Sequence, residues 1–251
     1  MSLIYELSDI HAEHWRDPNA FIKFLEYIRP IEIADVLVLA GDIWSLRDRT
    51  CLLYLDEFRK WAIEIVYVPG NHEWFDTSVT PQGKETLTAL HDEGLRVLGP
   101  DYYESFTYEG MRFVGSTLWY PDNPLVRKKL MDWCDQAFIR GFTKWWEKYQ
   151  LLERQHLWNN IQEGDIVVTH MLPSWNCVSE RFVADPYTCM FVSPMEDLIL
   201  EKKPKIWFHG HTHDPVDITL GDTKILCNPI GYPSAILINQ PETVKILEIR
   251  L

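Results

Sequence analysis

The chain has 251 residues, 46% of them apolar, and carries 37 acidic against 24 basic side chains for a formal net charge of −13. That is enough chain for a sizeable core, and the negative charge disfavours sequence-independent binding to duplex nucleic acid, whose phosphates it repels over long range. No basic-then-apolar leader and no apolar run of the roughly 18 residues that span a bilayer is visible, so a cytoplasmic, non-membrane protein is expected.

The five cysteines (Cys51, Cys134, Cys177, Cys189 and Cys227) are scattered and form no CxxC pair, which points away from a disulfide framework or a thiolate zinc site and towards reduced thiols. Apolar runs at Leu3–Leu7, Asp35–Ala40 and Ile63–Val68 predict strands covered on both faces, because they are rich in Val, Ile and Leu without strict alternation. Helical spacing at about Ala20–Arg29, Arg49–Trp61 and Gln82–Glu93 alternates with them, the last stretch closed by Gly94 as a C′ glycine. This alternation predicts an α/β architecture. Tyr102–Tyr108 and Met111–Val114 flank a Glu109-Gly110 turn and read as a hairpin. Leu125–Ile161 has long helical spacing and predicts two helices broken near Gly141, with Trp133, Trp145, Trp146 and Trp158 as helix-packing residues.

Two further buried strands are predicted at Asp165–Thr169 and Lys205–Phe208. After them Val216–Leu220, Lys224–Cys227, Ser234–Ile238 and Val244–Ile249 predict antiparallel strands separated by turns at Gly221-Asp222, Asn228-Pro229 and Gln240-Pro241. Without repeats or linker-like stretches, one domain over 1–251 is expected, with a helical insertion at about 125–162 and a β-rich second half.

Every buried-strand pattern ends in polar residues able to bind metal: Ser8-Asp9-Ile10-His11, Gly41-Asp42, Gly70-Asn71-His72-Glu73, Thr169-His170 and Gly210-His211-Thr212-His213. In α/β sheets ligand sites collect beyond the carboxyl ends of the strands, so five such ends point to one place. Asp-x-His and His-x-His pairs there put alternate side chains on one side of the sheet edge. Oxygen and imidazole donors without thiolate suit manganese, iron, zinc, cobalt or nickel. Asp42, an isolated carboxylate with two oxygens, suits a bridge between two ions. Glycines at 41, 70 and 210 allow sharp turns beside the cluster.

This ordered set resembles the calcineurin-like metallophosphoesterase superfamily, with all five blocks in family order from residue 8 to about 233. The resemblance implies a four-layer α/β/β/α sandwich of two mixed sheets, and hydrolysis of a phosphate ester by water activated on a dinuclear metal centre. It implies two divalent metal ions, manganese first, with iron, zinc, cobalt, nickel or magnesium as alternatives. Asp9, His11 and His213 would hold one ion, Asn71, His170 and His211 the other, with Asp42 shared. His72 matches the histidine that contacts the phosphate or protonates the leaving oxygen.

The stretch Gly41-Asp42-Ile43-Trp44-Ser45-Leu46-Arg47 lacks the Gly-Asp-x-x-Asp-Arg-Gly extension of the Ser/Thr protein phosphatases, which leaves a small bacterial or phage-type member. Asn228-Pro229-Ile230-Gly231-Tyr232-Pro233 resembles an Asn-Pro-Arg-Gly-Tyr segment, with Ile230 in place of the arginine. The expected substrate is a small phosphate ester or nucleotide, whether monoester or diester. A nuclease and a non-catalytic scaffold of the same fold are the rivals. Trp44, Trp74 and Trp119 are candidates to line the pocket, Arg47, Arg49, Arg127 and Arg140 to bind a second phosphate, and His14 to reach the rim. His91, His156 and His209 are read as structural.

Overall fold

The computed structural model describes residues 2–77, 82–234 and 244–251. In chain order, β1 (Leu3–Leu7), β2 (Ala34–Leu39), β3 (Ala62–Tyr67) and β4 (Arg96–Val97) alternate with α1 (Pro18–Ile28), α2 (Cys51–Phe58) and α3 (Gln82–Asp92). A hairpin of β5 (Phe106–Tyr108) and β6 (Met111–Ser116) leads into α4 (Pro124–Leu130), α5 (Cys134–Phe138) and α6 (Phe142–Asn160). The chain continues through β7 (Ile166–Thr169), α7 (Glu196–Lys202), β8 (Ile206–Phe208), β9 (Val216–Leu220), β10 (Thr223–Cys227) and β11 (Leu247–Arg250).

Local chemistry places several of these boundaries. Asp17 caps α1 by accepting from Ala20 N, with Pro18 at the first helical position, and Asn123 with Pro124 does the same for α4. The hairpin turn has positive φ at both Glu109 (48°) and Gly110 (81°), as a two-residue type I′ connection requires.

Two sheets result, in the orders β11-β1-β2-β3-β4 and β5-β6-β7-β8-β10-β9. β1 to β4 are mutually parallel, as are β6, β7, β8 and β10, while β11, β5 and β9 add antiparallel edges. The late strands are therefore not simply antiparallel, as their turns suggested. β10 runs antiparallel to β9 but parallel to β8, and β11 crosses to the other sheet. The predicted strand Ser234–Ile238 and the Gln240-Pro241 turn lie outside the described residues.

Side-chain alternation sorts the strand residues into layers. Ile4, Val36, Val38, Val66 and Val68 pack between the sheets with Phe113, Ile166, Val168, Ile206 and Phe208. Leu3, Tyr5, Leu37, Leu39 and Tyr67 face the other way, towards Phe21, Leu25, Leu55, Phe58 and Leu90 of α1 to α3. On the far side Val114, Val167 and Trp207 pack with Leu157 of α6 and Leu198 of α7. The layering is α/β/β/α, with strands buried on both faces, which explains their continuous apolar runs. No helix among the described residues is long and apolar enough to cross a membrane.

The helical insertion differs from its prediction. It contains three helices rather than two, because the chain breaks at Trp133 (φ −94°, ψ 143°) as well as at Gly141 (φ 79°). The extended backbone at Trp133 aims its indole back at Asp135, where Nε1 donates to Oδ2 at 2.8 Å. Phe142 and Trp146 join the core under the first sheet, whereas Leu157 and Ile161 join the core outside the second, so α6 spans the two layers.

Candidate metal centre

Each of the five blocks follows the carboxyl end of a strand, and strand order sets them side by side. Asp9 and His11 follow β1, Asp42 follows β2 and Asn71 follows β3 in the first sheet, while His170 follows β7 and His211 and His213 follow β8 in the second. Peptide hydrogen bonds continue the pairing past the strands: Asp9 N donates to Gly41 O, His11 N to Asp42 O and Gly210 N to His170 O, each at 3.0 Å. Asp9, His11, Asp42, His211 and His213 all adopt positive φ, from 51° to 67°. Each costs an L side chain on the order of 1–3 kcal/mol, and such strain clusters where function holds it.

Glycine supplies room as much as freedom to turn. A Cβ at Gly70 would lie 2.2 Å from Asp42 Oδ1, and one at Gly41 would lie 2.4 Å from His170 Nδ1. Neither position has space for a methyl group, so these glycines let the candidate ligands approach the backbone.

The side chains form two donor groups. Asp9, His11 and His213 make one; Asp42, His170 and His211 make the other, with the donor atoms of each group within 4.8 Å of one another. His213 Nε2 is 3.0 Å from His11 Nε2 and 3.5 Å from Asp9 Oδ1. His170 Nε2 is 3.2 Å from both His211 Nδ1 and Asn71 Oδ1, which brings Asn71 to the second group. Asp42 faces both groups, its Oδ2 lying 3.3 Å from His170 Nε2 and 3.9 Å from His11 Nε2. Its Oδ1 accepts from the peptide N of His72 at 2.9 Å, which fixes the carboxylate plane. All seven side chains are buried except that of His213, which is about a quarter exposed.

This donor set fits two divalent cations. Facing imidazole nitrogens at 3.0 and 3.2 Å need a proton or a cation between them, and oxygen plus imidazole is the donor chemistry of first-row divalent metals. Tautomers are set appropriately, since His170 Nδ1 bonds to Ala40 O at 2.9 Å and leaves Nε2 for the site. Burial alone would lower the His170 pKa, yet the Asp42 carboxylate reverses this and holds it at about 10 in the metal-free protein. Burial pushes His211 and His213 down, towards the neutral form that binds metal.

Three carboxylates that the sequence did not single out as candidate ligands organise this centre. Glu13 Oε1 lies 3.0 Å from His11 Nδ1 and 3.1 Å from His72 Nδ1. It thereby turns the Nε2 of His11 to the first donor group and leaves the Nε2 of His72 uncommitted. Burial would raise the Glu13 acid, but hydrogen bonds from both histidines hold it at about 2. Burial would lower His72, but the charges of Asp42 and Glu13 outweigh it and hold the imidazolium to about 9. Glu73 accepts from the peptide N–H groups of Asp42 (2.9 Å), Ile43 (2.8 Å) and Gly70 (2.7 Å), tying the second block to the third. Asp135, from the insertion, accepts from Asn71 Nδ2 at 2.9 Å. Spacing could have flagged Glu13, two residues beyond His11; no local signal marks Asp135.

Next to the donors lies a cleft in two lobes. One, of about 440 Å³, is lined by Glu13, His14, Arg47, His72, Phe75 and Phe138. The other, of about 320 Å³, is lined by Asp42, Asn71, Trp133, Phe182, Phe191 and His213, and both are bounded by His72, Cys134 and Tyr232. Tyr232 stacks on His11 at 4.3 Å between ring centroids. Ile230 packs against the main core, and its peptide N, with that of Gly231, ties the segment to Ser8 O and Asp9 O.

The remaining candidates divide. Trp44 and Trp119 are fully buried and Trp74 is nearly so, and none lines this cleft, because their indoles fill the core beneath the first sheet. Trp133, expected to pack within a helix, does line it. Arg47 and His14 reach the rim, whereas Arg127 is engaged on the surface by Asp122 and Glu147 and neither Arg49 nor Arg140 lines the cleft. His209 is buried beside the site, bonded to Gly210 O and held neutral by burial, with a pKa of about 4.

The calcineurin-like phosphoesterase family model matches residues 3–215, and the chain belongs to that family. It is thus a hydrolase of phosphoric ester bonds whose family works with divalent metal. An uncharacterized protein, L509, of Acanthamoeba polyphaga mimivirus is 23% identical over 264 residues, covering 92% of each chain. Among solved structures, the phosphopantetheinyl hydrolase PptH of Mycobacterium tuberculosis superposes with a TM-score of 0.71 at 17% identity, over 98% of this chain and 95% of its own. A dimetal phosphatase from Danio rerio gives 0.52 at 14% identity, over 100% and 92%. At these identities the structural likeness establishes the shared fold.

Proposed function

We propose that Asp9, His11 and His213 hold one divalent cation, Asn71, His170 and His211 a second, with Asp42 shared, and that the chain uses them to hydrolyse a small phosphate ester of nucleotide type. The observation that carries this reading is Asp42 Oδ2, which lies between His11 Nε2 at 3.9 Å and His170 Nε2 at 3.3 Å, where one carboxylate serves both donor groups. Two such ions, when bound, would lower the pKa of a coordinated water to about neutral and offset charge on the phosphoryl oxygens.

The chain's own residues supply the rest. Glu13 accepts from Nδ1 of His72, and the charges of Asp42 and Glu13 favour the imidazolium, whose Nε2–H can contact a phosphoryl oxygen and pass its proton to the leaving oxygen. Phe75, His72 and Phe138 wall one lobe, a surface suited to a flat or apolar leaving group, and Arg47 at its rim offers a bidentate donor to a second phosphate. A small substrate suits a cleft of this size and a chain of net charge −13 better than a duplex does. The family resemblance makes manganese the first metal to supply, while oxygen and imidazole donors admit iron, zinc, cobalt and nickel as well. Five unpaired thiols agree with a reducing, cytoplasmic setting.

The test is leaving-group dependence in manganese-loaded protein. His72→Asn should cost on the order of 10²- to 10⁴-fold on alkyl phosphate esters and far less on para-nitrophenyl esters, whose leaving group needs no proton. Equal losses on both would remove His72 as the acid. A screen over monoesters, cyclic nucleotides, dinucleotide polyphosphates, phosphopantetheine esters and single-stranded nucleic acid checks the substrate class, and turnover of nucleic acid alone would overturn it.

A further inference from the structure

Asn71 differs from the two carboxylates among the candidate ligands in having a wrong way round. An imidazole is oriented by its second nitrogen and a carboxylate presents oxygen either way, but an amide rotated by half a turn offers a metal its NH₂ group instead of its carbonyl. Resting on the reading of Asn71 as a ligand of the second ion, we infer that the helical insertion acts as a clamp on that ion's site, with Asp135 as the positioning residue that locks the Asn71 amide carbonyl-inward.

The lock is chemically one-way. Asn71 Nδ2 donates to Asp135 Oδ1 at 2.9 Å, while Asn71 Oδ1 faces His170 Nε2 at 3.2 Å. A carboxylate only accepts, so a flipped amide would set oxygen against oxygen in a place from which water is excluded, Asp135 being fully buried. Asp135 is itself held by donors from its own side. Tyr120 Oη donates to Oδ2 at 3.0 Å and Trp133 Nε1 to the same oxygen at 2.8 Å. The insertion is moored to the loop after Asn71 by two backbone hydrogen bonds, Asp76 N to Phe138 O at 3.0 Å and Arg140 N to Thr77 O at 3.3 Å. The break at Trp133, which divides the predicted first helix, is what carries the carboxylate to this point.

An amide placed at 135 reverses the lock. Tyr120 and Trp133 would claim its carbonyl, its NH₂ would turn to Asn71, and the Asn71 amide would flip. Asp135→Asn should therefore weaken the second ion on the order of 10- to 100-fold and leave the first unchanged, as read by manganese or cobalt titration with stoichiometry from elemental analysis. The exchanged pair Asn71→Asp with Asp135→Asn should regain most of that affinity, because the new carboxylate at 71 accepts from the new amide and presents oxygen whichever way it turns. Tyr120→Phe, which removes one donor and keeps the packing, should give a smaller loss in the same direction.

Near-UV circular dichroism checks folding in each variant. If Asn71→Ala retains the second ion, the ligand reading itself fails. If Asn71→Ala loses it while Asp135→Asn binds within threefold of the parent, the clamp is wrong and the ligand reading stands. A folded exchanged pair that regains nothing also overturns the clamp, and if Asp135→Asn does not fold, an unchanged second-ion affinity in Tyr120→Phe does so.

Discussion

The two halves of the candidate metal centre are secured differently. The first group, Asp9, His11 and His213, leans on residues near in sequence and open to the cleft. Glu13 lies two positions from His11, His14 is half exposed, and His213 is a quarter exposed. The second group, Asn71, His170 and His211, is buried and braced from a distance: the Asn71 amide is held by Asp135, 64 residues away, and His170 by Ala40 O, 130 residues away. The first half is tied from a distance too, since His211 N donates to the Asp9 carboxylate at 3.0 and 3.1 Å and Tyr232 stacks on His11, so what sets it apart is the added local brace of Glu13 and its partial exposure. Of the seven side chains only that of His213 is partly exposed, so the second half should tolerate substitution least.

The largest expected effect erases the comparison. Asp42→Ala removes the carboxylate between the halves, and both should bind metal more weakly, with turnover falling on the order of 10³-fold; titration of metal stoichiometry alongside kcat checks it. Next, Gly70→Ala should strike the shared Asp42 and, through His170, the second half more than the first. Its methyl would fall 2.2 Å from Asp42 Oδ1 and 2.8 Å from His170 Cε1, and overpacking of this kind costs about 1–3 kcal/mol. The measurement is urea unfolding of the metal-free protein, with loss of the second ion before the first.

The smallest effect belongs to the locally braced half. Glu13→Gln should reduce turnover about 10-fold and move the alkaline limb of the pH profile to lower pH. The sign follows from His72: Asp42 and Glu13 hold its imidazolium to about 9 against the pull of burial, so removing one of these charges lets the proton leave sooner. Glu13 also links to stability. Its acid lies at about 2, below its ordinary 4.5, so its contribution is complete above 4.5 and is lost as pH falls towards 2. That part of the acid slope should flatten in the variant, and an unchanged slope would show that Glu13 contributes nothing there. Should Glu13→Gln instead cost as much as Gly70→Ala, the contrast between the halves would dissolve.

Much of this architecture is legible in the order of residues alone. The strands predicted at Leu3–Leu7, Asp165–Thr169 and Lys205–Phe208 lie within a residue of their observed bounds, because burial on both faces leaves an apolar signature that short-range reading detects. The seven candidate ligands and His72 stand out because each follows such a strand, and the fold brings all eight to one place. The bracing carboxylates do not stand out equally. Glu13 and Glu73 sit in or beside the motif blocks but have ordinary surface chemistry until burial and partners are known. Asp135 lies in a helical stretch where periodicity reports packing alone, and the Trp133 break that aims it is invisible to a 3.6-residue pattern.

By itself the sequence determined the strand cores, the ordered donor residues and, through them, the family and its chemistry, since those depend on residue type and short spacing. Only the tertiary structure decided which sheet each block belongs to, that Trp44, Trp74 and Trp119 fill the core while Trp133 and Tyr232 border the cleft, and that a carboxylate from the insertion holds Asn71. Those outcomes depend on contacts between residues tens of positions apart, which burial and hydrogen bonding select and local sequence does not encode.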